Sequence, residues 1–322
     1  MESLSRTLDT YTGSYLVRRR RKRLAILLAV CAASIAGAAI IIELSRSGVL
    51  HARSASRPVP KQELLAAWNV KNWDKVIAGC TSSLDSAPLD PFYLMFKGFS
   101  SFYKALELPE GDDRTSLIDN SVATLRKALA TGRRLPRAEV DYVLAKAYYQ
   151  KGPSYLDESV KYMEAALAGG YKASDSREYL AMAYAGLGDK TKSVQNFQAA
   201  LEQSRAELLL LAAAKAYDDS GDAATAESLL LEALASGKDA LVDEKCHFLL
   251  GDIYRSQGQG PKAEEQYNQI LEKNQDSAEA HYRLGLVYQD RGETVRARAE
   301  WRKAVSIDPT NAAAREKLTE KL

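Results

Sequence analysis

Two histidines are the residues in this 322-residue sequence best suited to metal or acid–base chemistry. His247 and His281 occupy equivalent positions in two successive sequence repeats. A metal site would need both rings to point at one ion about 2 Å away, and we predict structural packing instead. His51 stands alone in a polar segment. We therefore predict no metal site.

The other chemically reactive residues form no pattern typical of an enzyme. Cys31, Cys80 and Cys246 have no spacing typical of a disulfide framework or a zinc site, and we interpret them as small buried hydrophobic residues. The sequence contains no GxGxxG, GxxxxGK[ST], CxxC or HExxH. No Ser/His/Asp or Cys/His grouping can be assembled. We predict no enzyme activity and no cofactor.

The net charge of +2 conceals an uneven distribution. Residues 1–57 have a balance of +7, and the remaining residues have a balance of −5. Nucleic-acid binding is expected from a basic face on the folded part of a protein. Because the folded part here is mildly acidic, we predict no nucleic-acid partner.

The N-terminal region has the pattern of a membrane anchor. Residues 24–42 (LAILLAVCAASIAGAAIII) carry no charge and directly follow six consecutive cations at residues 18–23. As a helix, this stretch would span roughly 28 Å, close to the thickness of a bilayer core. The cations are expected to stay on the cytoplasmic side. We predict a transmembrane signal anchor at 24–42, a short basic cytoplasmic tail at 1–23 and a linker at 43–56.

This stretch has three other interpretations. A cleaved signal peptide has a shorter apolar core, of about 7–15 residues, although residues 52–55 leave a cleavage site open. A lipoprotein signal fits poorly because Val30 precedes Cys31. A buried core helix would not need six cations at its edge. Small residues at every fourth position also allow anchor helices to pair, which makes a homo-oligomer a hypothesis: Ala25, Ala29, Ala33 and Gly37.

One sequence pattern recurs through the rest of the chain. Its clearest copy begins at Ala278: AEAHYRLGLVYQDRGETVRARAEWRKAVSIDPTN. Leu284, Gly285 and Tyr288 lie on one helix face, and a second helix follows the turn. Regular spacing of about 34 residues predicts stacked helix pairs. The turn glycines of five copies follow this spacing: Gly152, Gly188, Gly221, Gly258 and Gly292.

This pattern closely resembles the tetratricopeptide repeat (TPR). The resemblance implies an all-α fold, a right-handed TPR superhelical solenoid of about seven helix pairs, preceded by one transmembrane helix. Residues 57–137 would hold two degenerate repeats, 138–311 five TPR repeats and 312–322 a C-terminal capping helix. In the second degenerate repeat we predict helices at Phe92–Ala105 and Leu117–Leu129, joined by a long acidic loop.

The resemblance also implies a binding groove. In TPR proteins, first-helix residues displaced from the packing stripe line a concave groove that holds a peptide. A mixture of aromatic and singly charged side chains suits this role. The family's cluster that grips chaperone C-termini is missing. The groove candidates are Tyr142, Lys146, Tyr149, Glu178, Met182, Lys215, Asp218, Phe248, Asp252, Arg255, Tyr282, Leu286 and Gln289.

The aromatic-rich segment at residues 92–103 fits two registers. In one, Lys97-Gly98 occupies the Leu-Gly position of the repeat and the aromatic side chains face the groove. In the other, Met95, Phe99 and Phe102 belong to the core, which is the interpretation that we favour.

These expectations suggest a membrane-anchored TPR scaffold or adaptor that binds proteins or peptides. We expect it in the bacterial cytoplasmic (inner) membrane as a single-pass protein, with its N-terminus in the cytoplasm and the repeats facing the periplasm. It would help to assemble or hold an envelope complex in secretion, chaperoning, envelope biogenesis or the collar of a motility motor. A eukaryotic organelle membrane is a second placement. The alternative function is a carrier of small hydrophobic ligands, which requires a closed apolar cavity near residues 92–103.

Overall fold

The computed structural model describes residues 57–237 and 239–320, and the predicted tail, anchor and linker lie outside these ranges. The described residues form 15 α-helices and no strand, which confirms the predicted all-α repeat solenoid. In that part of the chain, no helix is long and apolar enough to cross a membrane. The helices are α1 (Lys61–Asn69), α2 (Trp73–Ser86), α3 (Pro91–Leu106), α4 (Asp112–Ala130), α5 (Arg137–Gln150), α6 (Leu156–Ala168), α7 (Ser176–Gly186), α8 (Lys190–Leu201), α9 (Glu207–Ser220), α10 (Ala223–Ser236), α11 (Ala240–Ser256), α12 (Gly260–Lys273), α13 (Ala278–Asp290), α14 (Thr294–Ile307) and α15 (Ala312–Thr319).

The helices stack as seven consecutive pairs followed by α15. Within each pair the two helices contact each other, and each second helix contacts the first helix of the next pair. The first helices α3, α5, α7, α9 and α11 also contact one another in succession. First helices therefore line one side of the stack, which we call the inner face, and second helices line the opposite, outer face.

Local chemistry explains where the helices of a pair end and begin. All five predicted turn glycines have positive φ, between +71° and +94°, a conformation that glycine adopts without steric cost. After Gly188 and Gly221, the next helix is capped by Asp189 and Asp222. Each carboxylate accepts a hydrogen bond from the backbone N–H three positions later, at 3.0 Å in both. The repeated turn thus follows directly from the sequence.

Close approach of the two helices depends on the small residue of the Leu-Gly pair. A Cβ atom on Gly285 would lie 2.3 Å from Trp301 Nε1. Gly98 has the same role, because a Cβ there would lie 2.5 Å from Leu125 Cγ. Lys97-Gly98 therefore occupies the Leu-Gly position, as the first register predicted. The side chains of this helix are nevertheless core residues, as the second register predicted: Met95, Phe99 and Phe102 are buried.

One predicted boundary is wrong. The sequence predicts that the helix after the acidic loop begins at Leu117, but α4 begins at Asp112. Asp112 and Asp113 lie in the first turn of α4, where carboxylates interact favourably with the helix dipole.

At the other end of the chain, α15 packs on α14, and the Arg298 guanidinium donates a hydrogen bond to the Leu318 carbonyl at 2.8 Å.

The two cysteines within the described residues are buried, as predicted. Burial raises the pKa of the Cys80 thiol to about 12 and that of the Cys246 thiol to about 11. Both thiols therefore remain protonated at neutral pH, which suits small apolar core residues.

Asp141 in α5 is a buried carboxyl group that lacks full pairing. The residue is 2 % exposed, Oδ1 has no hydrogen-bond partner, and Oδ2 lies 3.4 Å from Arg137 Nε. Burial raises the pKa of Asp141, and Arg137 only partly opposes this. The folded protein therefore binds this proton more tightly than the unfolded chain does. The ionised group lowers stability as pH rises above the ordinary Asp pKa of 3.8.

We expect Asp141→Asn to raise the free energy of unfolding at pH 7 by about 1 kcal/mol, because the amide removes a buried charge without changing shape. The gain should shrink as the pH falls towards 3.8, where Asp141 takes up its proton. Urea unfolding of both proteins across this pH range tests the prediction. Asp276→Asn, at an exposed loop position, is the control. A loss of stability at pH 7 would contradict this account.

Candidate functional site

A groove on the inner face gathers five of the candidate residues. Its volume is about 600 Å³, and it crosses α7, α9 and α11, with one contribution from α13. We call it the α9 groove. It is lined by Glu178, Met182, Leu208, Leu211, Ala212, Lys215, Lys245, Phe248, Leu249, Asp252 and Arg283.

The floor of the α9 groove is apolar and open. Leu208 is 62 % exposed, and Leu211 and Met182 are half-buried. An apolar floor that is open to solvent is typical of a surface that binds a partner. The α9 groove therefore offers an apolar contact surface.

Charged side chains surround this floor. The Arg283 guanidinium donates to the Asp252 carboxylate and lies 4.8 Å from the centre of the Phe248 ring. Lys215 Nζ lies 2.6 Å from Asp219 Oδ1. Burial is the main cause that raises the pKa of Glu178. The rim thus combines both signs of charge around an apolar centre, as peptide-binding surfaces do.

Ion pairs between neighbouring first helices flank the groove on both sides. On one side, Lys146 of α5 lies 2.7 Å from Asp175, the residue before α7. On the other side, Arg255 of α11 lies 2.7 Å from Asp290 of α13. These pairs hold the walls of the inner face in place, and the apolar groove lies between them.

Two of the predicted groove residues are part of the wall. Tyr142 is 6 % exposed and Lys146 is 9 % exposed. The Tyr142 hydroxyl donates to Asp175 Oδ1 at 2.6 Å, and Lys146 Nζ lies 4.5 Å from the centre of the Tyr179 ring. Burial, followed by the Asp175 carboxylate, raises the pKa of Tyr142. Both side chains pack into the wall and do not line the α9 groove, because Asp175 draws them inward.

The remaining candidates lie outside the groove. The Tyr149 hydroxyl is directed at Met182 Sδ, at 3.6 Å, and Arg255 is held by Asp290. Asp218 is half-buried beside Lys215, and burial is the main cause that raises its pKa. Three others lie half-buried on α13, beyond the groove lining: Tyr282, Leu286 and Gln289.

Sequence reasoning missed four important lining residues. Leu211 stands three positions before Ala214, the spacing that Phe248 has to Gly251, so the same rule would have found it. Leu208 lies one turn earlier on the same face. Lys245 precedes Phe248 on α11 in the same way. Arg283 has no such signal, because its place in the groove depends on contacts with Asp252 and Phe248.

The two histidines pack between the helices of their own pairs, as predicted. His247 Nδ1 lies 2.9 Å from Gln266 Oε1, and His281 Nδ1 lies 2.6 Å from Glu300 Oε2. His281 Nε2 is also 3.1 Å from the Gln275 carbonyl oxygen. Within the described residues, no group of three or more His, Cys, Asp or Glu side chains is placed to hold a metal ion.

The aromatic side chains of α3 pack against α1. The Trp68 ring contacts Phe96 and Tyr103, with centroid distances of 5.2 and 5.8 Å. The depression beside them has a volume of about 510 Å³ and is lined by Trp68, Trp73, Tyr103 and more polar neighbours. It opens to solvent, unlike the closed cavity that a hydrophobic carrier would need.

Family comparisons agree with the repeat pattern. A TPR repeat model matches residues 251–292, and tetratricopeptide repeat models match residues 278–311 and 156–207. These segments of the chain are tetratricopeptide repeats. The α9 groove lies on the inner face, and most of α9 lies between the matched segments.

Solved structures with low sequence identity have a similar TPR fold. A chain of the APC/C hetero-tetramer Cut9–Hcn1 matches with a TM-score of 0.51 and 16 % identity, over 87 % of this chain and 51 % of that chain. This chain therefore spans about half of its length. The C-terminal part of a TPR repeat-containing protein from Cytophaga hutchinsonii matches with a TM-score of 0.59 and 13 % identity, over 81 % of this chain and 100 % of that one.

A tetratricopeptide repeat protein from Parabacteroides merdae matches with a TM-score of 0.51 and 14 % identity, over 70 % of this chain and 97 % of that one. At these identities the similarity concerns the fold alone. A search of curated proteins found no match.

Proposed function

We propose that this chain is a membrane-anchored TPR scaffold or adaptor that holds an apolar segment of a protein partner in the α9 groove. The observation that carries the proposal is the exposed apolar floor around Leu208, bordered by Lys215, Lys245 and Arg283. Buried apolar anchors surrounded by a polar rim are the usual source of binding energy at protein interfaces. The chain would act by binding rather than by catalysis.

The size of the groove indicates the length of the bound segment. Packed helices lie about 8–10 Å apart, so a path from α7 across α9 to α11 spans roughly 20 Å. An extended peptide rises about 3.3 Å per residue, and about six residues would cover this path. We therefore expect a short segment with one or two large apolar side chains over Leu208 and Leu211.

The proposed location follows from the N-terminal sequence. The cations at residues 18–23 would retain the N-terminus in the cytoplasm, and the apolar stretch at 24–42 would place the repeats in the bacterial periplasm. The partner would belong to an envelope complex. Paired anchors would bring two grooves into one assembly.

Photo-crosslinking in intact bacterial cells tests the binding site. A photoreactive phenylalanine analogue replaces Leu208, and the control carries it at Leu231, a 49 % exposed leucine of α10 on the outer face. We expect one or a few discrete adducts that are specific to position 208. Identical adducts at both positions, or none at position 208, would sink the groove proposal.

A charged substitution measures the contribution of the groove. We expect Leu208→Asp to weaken partner binding by at least tenfold, because the loss of a central anchor typically costs about 2 kcal/mol or more. Leu231→Asp should leave binding unchanged. The amount of partner recovered with each full-length variant gives the measurement. Equal recovery would show that the α9 groove is not the binding site.

Membrane topology has its own test. The full chain should remain in the membrane fraction after alkaline carbonate extraction, and protease added to spheroplasts should digest the repeats. Release by carbonate would reject the anchor, and protection from protease would reject the periplasmic placement.

A further inference from the structure

The turn between α4 and α5 carries a cluster of cations that we call the basic edge. Residues 120–138 contain five Lys or Arg and no Asp or Glu, although the chain beyond residue 57 has a balance of −5. All five side chains are exposed: Arg126, Lys127, Arg133, Arg134 and Arg137. This cluster of positive charge contrasts with the net negative charge of the repeats.

Most of the basic edge is not neutralised by neighbouring residues. Among the described residues, Arg137 alone of the five has a carboxylate within ion-pair distance, that of Asp141 at 3.4 Å. Arg126 reaches the Tyr148 hydroxyl at 3.5 Å. A surface of unpaired cations attracts an anionic surface from a distance.

The turns at the opposite edge of the stack behave differently. Lys151 pairs with Asp119 there, and Arg291 lies 2.6 Å from Glu264. Arg296 lies 2.7 Å from Glu293. These three cations are neutralised within the fold, whereas four of the five at the basic edge have no carboxylate within ion-pair distance among the described residues.

The chain enters the repeats at the same edge. Because each pair of helices returns the chain to its starting side, the first helices α1, α3 and α5 all begin at one edge. The Val59 N–H donates to Ser83 Oγ, and the Tyr93 hydroxyl donates to the Val59 carbonyl, both at 2.9 Å. These bonds hold the start of the repeats beside the end of α2 and the beginning of α3. The segment that follows the predicted anchor therefore joins the repeats on the side of the basic edge.

We propose that the basic edge docks on anionic phospholipid headgroups of the membrane that carries the anchor. This inference rests on the anchor of the proposed function. Only 14 residues, 43–56, separate the predicted anchor from the described repeats, and a chain of this length spans at most about 50 Å, which keeps the headgroups within reach. Each Lys or Arg near an anionic bilayer strengthens binding by about fivefold. The chain enters the repeats on the same side as these cations. This favours the membrane lipid as the partner over an acidic protein.

Docking at this edge has a consequence for the α9 groove. The groove lies on the inner face, and the basic edge lies at the ends of the helices. Docking through the turn between α4 and α5 would orient the solenoid, and the groove begins one helix pair further along, at α7. A partner in the same membrane or in the periplasm could still reach Leu208.

Fluorescence quenching in proteoliposomes tests the proposal with the full-length chain. A fluorophore is attached to a cysteine that replaces Ala130 at the basic edge, or Ala185 at the opposite edge, both exposed. Cys31 is changed to serine, and the buried Cys80 and Cys246 stay unlabelled. The vesicles contain phosphatidylcholine alone or mixed with phosphatidylglycerol, together with a spin-labelled lipid as quencher.

We expect quenching at position 130 only, in vesicles with phosphatidylglycerol only, and its loss at high salt. Arg133→Glu with Arg134→Glu should weaken docking by more than tenfold. Lys190→Glu with Lys192→Glu makes the same change in charge at the opposite edge and should have no effect. Equal quenching in both lipids, or equal loss in both double variants, would overturn the proposal.

Two further outcomes separate lipid docking from other causes. Inorganic phosphate at matched ionic strength should release the edge no better than salt does, and specific release by phosphate would refute the lipid assignment. If the anchor fails, the chain will not float with phosphatidylcholine vesicles. Docking is then measured by flotation with phosphatidylglycerol vesicles, and it must still depend on Arg133 and Arg134.

Discussion

Replacement of Trp301 with alanine is expected to lower the free energy of unfolding of the C-terminal helix pair by about 3–5 kcal/mol. Trp301 is fully buried, and its indole N–H donates to the Tyr282 carbonyl at 3.1 Å. The Trp301 ring packs directly against Gly285. Because glycine has no side chain, it cannot fill the cavity that the substitution would leave. The substitution would remove a large buried contact between α13 and α14.

The loss should be confined to the end of the solenoid. In a repeat protein each unit is stabilised mainly by its neighbours, so α13 to α15 should open while the earlier pairs stay folded. Hydrogen exchange followed by mass spectrometry would detect faster exchange in residues 278–319. Arg302→Ala, at the exposed neighbouring position, is the control. A change below about 1 kcal/mol would refute the packing argument.

Replacement of Lys146 with methionine is expected to destabilise the protein by about 2–4 kcal/mol, because removing one partner of a buried ion pair leaves an uncompensated charge. Its ammonium group lies between Asp175 Oδ2, at 2.7 Å, and the Tyr142 hydroxyl, at 3.1 Å. The full loss for a buried pair is typically about 3–5 kcal/mol. The Asp175 side chain is 32 % exposed, so solvation of its carboxylate by water makes the expected loss smaller.

The sequence offers a matched control for this prediction. Lys215 occupies the same repeat position two helix pairs later, but its side chain is 59 % exposed and pairs with Asp219. Lys215→Met should change stability by less than about 0.5 kcal/mol, because exposed ion pairs contribute little. Urea unfolding of both variants gives the comparison. Equal effects at the two positions would show that burial of Lys146 has no energetic role.

Much of the fold could be predicted because its determinants are local and repeated. Gly188 and Gly292 stop a helix through positive φ, and Asp189 caps the next one, within a short stretch of sequence. Helical periodicity then identifies the packing stripe without knowledge of distant contacts. The start of α4 at Asp112 escaped prediction because acidic residues are equally typical of a loop and of a first helical turn.

The candidate site was predicted less well for a physical reason. Tyr142 and Lys146 have the sequence position of groove residues, yet they are inward-facing because Asp175 accepts a hydrogen bond from each. Arg283 reaches the groove through Asp252 and Phe248 on another helix. Repeat position defines the face of the helix, and neighbouring helices determine which side chains on that face remain free.

The sequence by itself determined the all-α repeat architecture, the turns and the buried small residues, because each depends on interactions within a single repeat. It also carries the pattern of an anchor at residues 24–42, which lies outside the described structure. Only the tertiary structure decided that the open apolar surface is centred on Leu208 and Leu211. Burial and ion pairing there arise between helices of different repeats, and no local pattern encodes which charges neutralise each other.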